Sequence, residues 1–123
     1  MAQTFTIAGK LTVPLEDSVA TAPIDLGITF TITSRADFSR KYDSAVTDDP
    51  VNLGTLGTGP GAKGVLVKCI NGACTVKFNG ATAAWPLSAN GGFFLWSNGA
   101  QGFLTAALIS TTAAATVIFL AVG

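Results

Sequence analysis

Hydrophobic and polar residues alternate along much of this chain with a period of two, the signature of extended backbone. From Phe5 to Val13, one side carries Phe5, Ile7, Gly9, Leu11 and Val13, and the other carries Thr6, Ala8, Lys10 and Thr12. From Leu26 to Thr33, Leu26, Ile28, Phe30 and Ile32 point one way, and Gly27, Thr29, Thr31 and Thr33 the other. Such alternation predicts strands with one covered face. Phe103 to Val122 has no charge and meets the minimum length of a membrane-spanning helix. Thr105, Ser110, Thr111, Thr112 and Thr116 interrupt it, so we read two strands, Phe103–Ile109 and Ala115–Val122, joined at Ser110-Thr111-Thr112, and no membrane span. The second is β-branched and aromatic at Thr116, Val117, Ile118 and Phe119, as strands prefer. No stretch holds a helical period; Arg35 to Ser44 is the one helix candidate and reads equally as an exposed loop.

Turn chemistry points the same way. Four of the five asparagines precede glycine, at Asn71-Gly72, Asn79-Gly80, Asn90-Gly91 and Asn98-Gly99. Asn-Gly suits a two-residue hairpin because both central residues of a type I′ turn need positive φ. With Asn71-Gly72 as a turn, Ile70 opposes Ala73, Cys69 opposes Cys74, Val67 opposes Val76 and Val65 opposes Phe78. With Asn79-Gly80 as the next, Phe78 opposes Ala81, Val76 opposes Ala83 and Cys74 opposes Trp85. Val65, Val67, Cys69, Cys74, Val76, Phe78, Ala81, Ala83 and Trp85 then share one face, and Lys68, Thr75, Lys77 and Thr82 the other. The expected class is all-β: residues 1–123 as one antiparallel β-sandwich, jelly-roll-like, of about eight strands with Asn-Gly hairpins.

Charge changes the picture from fold to assembly. The 123 residues hold 7 Lys and Arg, 7 Asp and Glu, and no His, for a formal net charge of zero. That balance gives no electrostatic case for nucleic acid or anionic lipid. Charged residues are 11% of the chain, against roughly 25% in ordinary domains, too few to coat a monomer's surface. Half of them fall in one segment: Arg35, Asp37, Arg40, Lys41, Asp43, Asp48 and Asp49. None follows Lys77, so Phe78 to Gly123 must be core, protein interface or membrane. The first residues lack the basic and apolar regions of a secretion signal, which predicts folding in a cytoplasm.

Candidate chemistry is sparse. Without histidine there is no Ser-His or Cys-His pair, and no Gly-x-Ser-x-Gly elbow occurs, so we expect no catalytic residues, cofactor or enzyme activity. Cys69 and Cys74 lack metal or redox spacing and read as a buried thiol pair or a cross-strand disulfide. Gly59-Pro60-Gly61-Ala62-Lys63-Gly64 matches a dinucleotide fingerprint in letters only. A strand-like Val65-Leu66-Val67 follows where a helix is required, so Gly54 to Gly64 reads as a flexible loop. Asp37, Asp43, Asp48 and Asp49 are oxygen ligands of the kind calcium takes. Their neighbours Arg35, Arg40 and Lys41 make a solvated, salt-bridged loop the better reading, one that contacts solvent or a partner, with no metal. Phe93-Phe94-Leu95-Trp96 is an unbroken apolar run between glycine turns. With Trp85 and Phe119 it marks aromatics for the core or a subunit interface.

Lys68-Cys-Ile-Asn-Gly-Ala-Cys-Thr-Val-Lys-Phe-Asn-Gly, then Ala84-Trp85-Pro86-Leu87, Gly91-Gly92-Phe93-Phe94-Leu95-Trp96 and the closing Ala-Ala-Thr-Val-Ile-Phe-Leu-Ala-Val-Gly resemble small virion proteins of tailed bacteriophages. The resemblance spans the C-terminal half and is closest in character to capsid cement (decoration) proteins. It implies a structural protein of the capsid surface, made in the host cytoplasm, that oligomerises and clamps neighbouring major capsid subunits. It carries no catalytic residues. The competing expectation is a carbohydrate- or receptor-binding β-module of a phage tail or fibre, whose tryptophans stack on sugar rings.

Overall fold

The structure, a computed structural model, describes residues 3–7, 10–14, 21–25, 28–59, 61–97 and 102–123. These residues form twelve β-strands and one short 3-10 helix, in two compact units, 1–32 and 33–123. The first unit holds β1 (Gln3–Ile7), β2 (Lys10–Pro14), β3 (Thr21–Asp25) and β4 (Ile28–Ile32). β1 pairs with β4 and β2 with β3, both antiparallel. Phe5 lies opposite Phe30, and Leu11 opposite Ile24. Ala8, Gly9, Leu26 and Gly27 of the expected strands lie outside the described residues.

Residues 33–123 build the sandwich. Its strands are β5 (Arg35–Tyr42), β6 (Val46–Pro50), β7 (Gly64–Ile70), β8 (Cys74–Phe78), β9 (Trp85–Leu87), β10 (Gly92–Trp96), β11 (Ala107–Thr111) and β12 (Ala115–Val122). One sheet has the order β10-β7-β12-β5 and the other β6-β11-β8-β9, all antiparallel. The pairing is nested: β8 with β9, β7 with β10, β6 with β11, β5 with β12. The segment is thus one long hairpin rolled so that successive pairs fall in alternate sheets.

The two inner faces make the core. Val65, Val67, Cys69, Val117, Phe119 and Ala121 of the first sheet are fully buried, as are Val76 and Ile109 of the second. Each buried Val, Ile or Phe among them contributes about 1.5–3 kcal/mol of apolar burial. Phe93, Val67, Phe119 and Phe38 form one row across the first sheet, with Phe38 and Phe119 stacked at 5.5 Å. Trp85, Val76, Ile109 and Asp49 form a row across the second.

Several expectations need correction. Asn71-Gly72 does not turn a hairpin: β7 and β8 belong to different sheets, so the turn is an arch between layers. Val65, Val67, Cys69, Cys74 and Val76 do share the interior, but across the sandwich and not along one sheet. Period two fixes the face a side chain takes and leaves its strand partner open. Asn90-Gly91 likewise leads from β9 in one sheet to β10 in the other, and Asn98-Gly99 lies outside the described residues. Asn79 and Gly80 have φ of 52° and 73°, and the Ala81 N–H donates to the Phe78 carbonyl at 2.9 Å. Beyond that turn the register slips by two: Val76 faces Trp85 instead of Ala83, and Cys74 faces Leu87 instead of Trp85. A two-residue slip keeps every side chain on its face while setting Trp85 against Val76 and Leu87 against Cys74. Ala81 and Ala83 are left exposed.

The charged segment 35–49 is neither helix nor loop. It forms β5 and β6, the outermost strands of the two sheets at one side of the sandwich. Along β5, Ala36, Phe38, Arg40 and Tyr42 turn inward while Arg35, Asp37, Ser39 and Lys41 are exposed. The alternation escapes a hydropathy reading because an arginine takes one inward position. Nor is 54–64 a loose loop: a 3-10 helix (Gly54–Gly57) buries Leu56, and Ala62 is buried in a bridge to Leu104. The expected strand Phe103–Ile109 starts late, at Ala107, and runs through Ser110 and Thr111.

Candidate functional site

Two open sides of the sandwich and one outer face hold the side chains singled out above. At the side where β9 and β10 meet, Trp85, Phe93 and Phe78 form a cluster. Trp85 and Phe93 have ring centroids 5.3 Å apart, Phe78 and Phe93 lie edge-on at 5.9 Å, and Phe78 and Trp85 are at 6.4 Å. These offset geometries suit aromatic quadrupoles. The cluster closes the core, yet Trp85 remains 47% exposed.

On β10, alternate residues serve opposite faces. Phe93 faces the core cluster, whereas Phe94 and Trp96 stack on each other at 5.6 Å on the outer face, with Trp96 also 47% exposed. The register places Asp37, Leu120, Leu66 and Phe94 in one row of that face, and Ile118 beside Lys68 in the next. Leu66, Ile118 and Leu120 are half-buried there, and with Arg35 and Asp37 they line an open depression of about 360 Å³. Of the aromatics named from sequence, Phe119 alone is wholly core. Leu66, Ile118 and Leu120 are not among the candidates named from the sequence. Their signal was that Val65–Val67 and Val117–Ala121 are apolar without alternation, as strands covered on both faces are.

The opposite side, where β5 and β6 meet, is polar. Asp49 Oδ2 accepts from Tyr42 Oη at 2.7 Å and from Arg40 Nη1. The Arg40 guanidinium sits 4.8 Å from the Phe38 ring centroid, a cation–π contact. The Tyr42 hydrogen bond, then that of Arg40, hold the Asp49 carboxyl below the usual carboxylate range. Burial, then the bond to Asp49, pushes the Tyr42 phenol up, and hydrogen bonds to Tyr42 and Asp49 raise Arg40. Asp48 accepts from Lys77 Nζ at 3.0 Å and from Ser110, and the Lys77 bond lowers its pKa. Arg35–Asp37 and Lys41–Asp43 are exposed ion pairs of 3.3 and 3.2 Å. The seven charged residues therefore do not converge on one point. Tyr42, Lys77 and Ser110 were missed because their partners lie on other strands.

Cys69 and Cys74 form a disulfide, with Cα atoms 6.6 Å apart, joining the two sheets inside the core. Beside it, on the second sheet, a groove of about 340 Å³ is lined by Val46, Leu87 and Pro86 with the hydroxyl residues Thr47, Thr75 and Ser110. Among the described residues, no three His, Cys, Asp or Glu side chains gather as a cation site would need, and no helix is long and apolar enough to cross a membrane. The arrangement offers apolar contact area at the aromatic side and saturated ion pairs at the other. Comparison with protein-family models, curated proteins and solved structures finds no match.

Proposed function

We propose that this chain is a structural protein of a virion shell, which oligomerises and packs against the major capsid protein through its aromatic side and the adjoining outer face. The observation that carries the reading is the pair of half-exposed tryptophans, Trp85 at the open side and Trp96 on the outer face that also carries the apolar Leu66, Ile118 and Leu120. Tryptophan is the residue type most concentrated in the energetic centres of protein interfaces. The nested strand order also supports the jelly-roll reading, since eight strands in two sheets built from paired Greek keys is the architecture of many capsid and lectin domains. Architecture alone does not assign function, so the exposed aromatics bear the weight.

In this reading, shell pressure strains the joints between capsomers and each bound copy adds apolar contact across a joint. A standard interface of about 1,600 Å² is substantial at about 25 cal/mol per Å² of apolar burial before association entropy is subtracted. Repetition over a shell multiplies it through avidity. The test is light scattering of the full chain and of Trp96→Ser, with tryptophan fluorescence read alongside. An oligomer whose indoles are shielded, and which Trp96→Ser dissociates, is expected. A monodisperse monomer at high concentration, with fluorescence quenched by soluble glycans, overturns the reading in favour of a sugar-binding module. A copy count per purified particle separates head from tail: hundreds fit a shell, a dozen or fewer a tail.

A further inference from the structure

We propose that Asn71 is a site of spontaneous deamidation set apart by the fold from the other described Asn-Gly pairs, so that the arch between β7 and β8 ages before the segments at Asn79 and Asn90. The chemistry needs no enzyme. The Gly72 amide nitrogen, on losing its proton, attacks Asn71 Cγ; a C–N bond forms, the side-chain nitrogen leaves as ammonia, and a five-membered succinimide results. Water then opens either carbonyl. Opening at Cγ gives aspartate; opening at the main-chain carbonyl gives isoaspartate, whose backbone runs through the former side chain. Three conditions govern the first step: no side chain on the following residue, an asparagine amide free to swing onto that nitrogen, and a following N–H not tied up elsewhere.

All three described Asn-Gly pairs meet the first condition, and the fold separates them on the others. Asn79 fails the second. Its Nδ2 donates to the Phe103 carbonyl at 2.7 Å, and its Oδ1 accepts from the N–H groups of Thr105 and Ala106 at 2.9 and 3.2 Å. Asn90 fails the third, because the Gly91 N–H donates to the Ser88 carbonyl at 2.9 Å. Among the described residues, neither the Asn71 side chain nor the Gly72 N–H has a hydrogen-bond partner, and Asn71 is exposed with φ of 55°.

The products would be felt unequally. Asn71 lines a small crevice of about 90 Å³ with Lys41, so an aspartate there meets a cation. An isoaspartate lengthens the backbone of an arch with no slack. Cys69 and Cys74 are bonded on either side of it, and a Cβ on Gly72 would already collide with Ala114 and Ala115.

The test incubates the intact, oxidised chain in mildly alkaline buffer and follows each Asn-Gly peptide by mass spectrometry for the replacement of NH₂ by OH. Each hydrogen bond that must open at Asn79 is worth about fivefold, so Asn71 is expected to lead Asn79 by more than about tenfold. It is also expected to lead Asn90. The same chain, reduced and unfolded, is expected to bring the three rates together. A lead by Asn79 or Asn90 in the folded chain overturns the proposal. So does the same order of rates in the unfolded chain, which would place the cause in local sequence.

Discussion

Between β9 and β10 the two sheets are held by the rings of Phe78, Trp85 and Phe93; between β5 and β6 they are held by Arg40, Tyr42 and Asp49. Both sets close the same core, and the two inner rows of the sandwich run from one side to the other, Phe93 to Phe38 and Trp85 to Asp49. The difference lies in what each side leaves over. Hydrogen bonds are directional and saturable: Asp49 has two donors, and no described buried side-chain polar atom lacks a partner. Aromatic contact has preferred geometries but does not saturate, so Trp85 can close the core with one part of its indole and still present another. Of these two closures, the aromatic one leaves a large apolar side chain half exposed, which is why the proposed partner is placed there.

The sharpest break of this comparison is Trp85→Ala. Roughly half of a surface of about 200 Å² leaves contact, and two aromatic pairs are lost, so stability should fall by about 2 kcal/mol. Urea unfolding measures it, and the loss should be the same at low and high salt. A loss below about 0.5 kcal/mol, as surface substitutions give, would mean that the indole does not close the sandwich.

Asp49→Ala comes next. It leaves the Tyr42 hydroxyl and the Arg40 guanidinium without their shared acceptor, at about 1–2 kcal/mol for a partly exposed site. Asp49→Asn keeps an acceptor oxygen and should recover part of that loss in the same unfolding experiment. Equal losses for the two variants would show that the hydrogen-bond geometry is irrelevant and only the charge matters.

These two sides were not equally legible in the sequence. Trp85 and Phe93 stood out because large aromatics between glycine turns are visible one residue at a time. The polar side was hidden, because Arg40 occupies an inward position of β5 and reads as solvated until Asp49 is brought opposite it. That pairing depends on the nested strand order, which period-two alternation does not encode. The same gap explains the arch at Asn71-Gly72: alternation sent Cys69 and Cys74 inward, while a local-turn reading put them on adjacent strands of one sheet. Local signals gave the all-β class and the faces; long-range pairing gave the disulfide's place between sheets and the ion pair's place at the edge.

The smallest expected effect is in pH, and it separates the two sides by sign. The Asp49 carboxyl titrates below the usual carboxylate range when folded. Its contribution is therefore present above the unfolded value near 4 and is lost as pH falls through the lower folded value. The Tyr42 phenol titrates above its usual value when folded. Its contribution is complete below about 10 and is lost as pH rises through the higher folded value. The stability difference between the wild-type chain and Asp49→Asn should then be level at neutral pH and shrink toward the acid and alkaline ends. It should stay below the Asp49→Ala loss, because the asparagine still fills the place and its Oδ1 can still accept. The difference between the wild-type chain and Trp85→Ala should be level throughout, since no ring of that cluster titrates. If the Asp49→Asn difference is also level, the carboxylate is not an ionised acceptor in the folded chain, and the contrast between a charged side and an apolar side disappears.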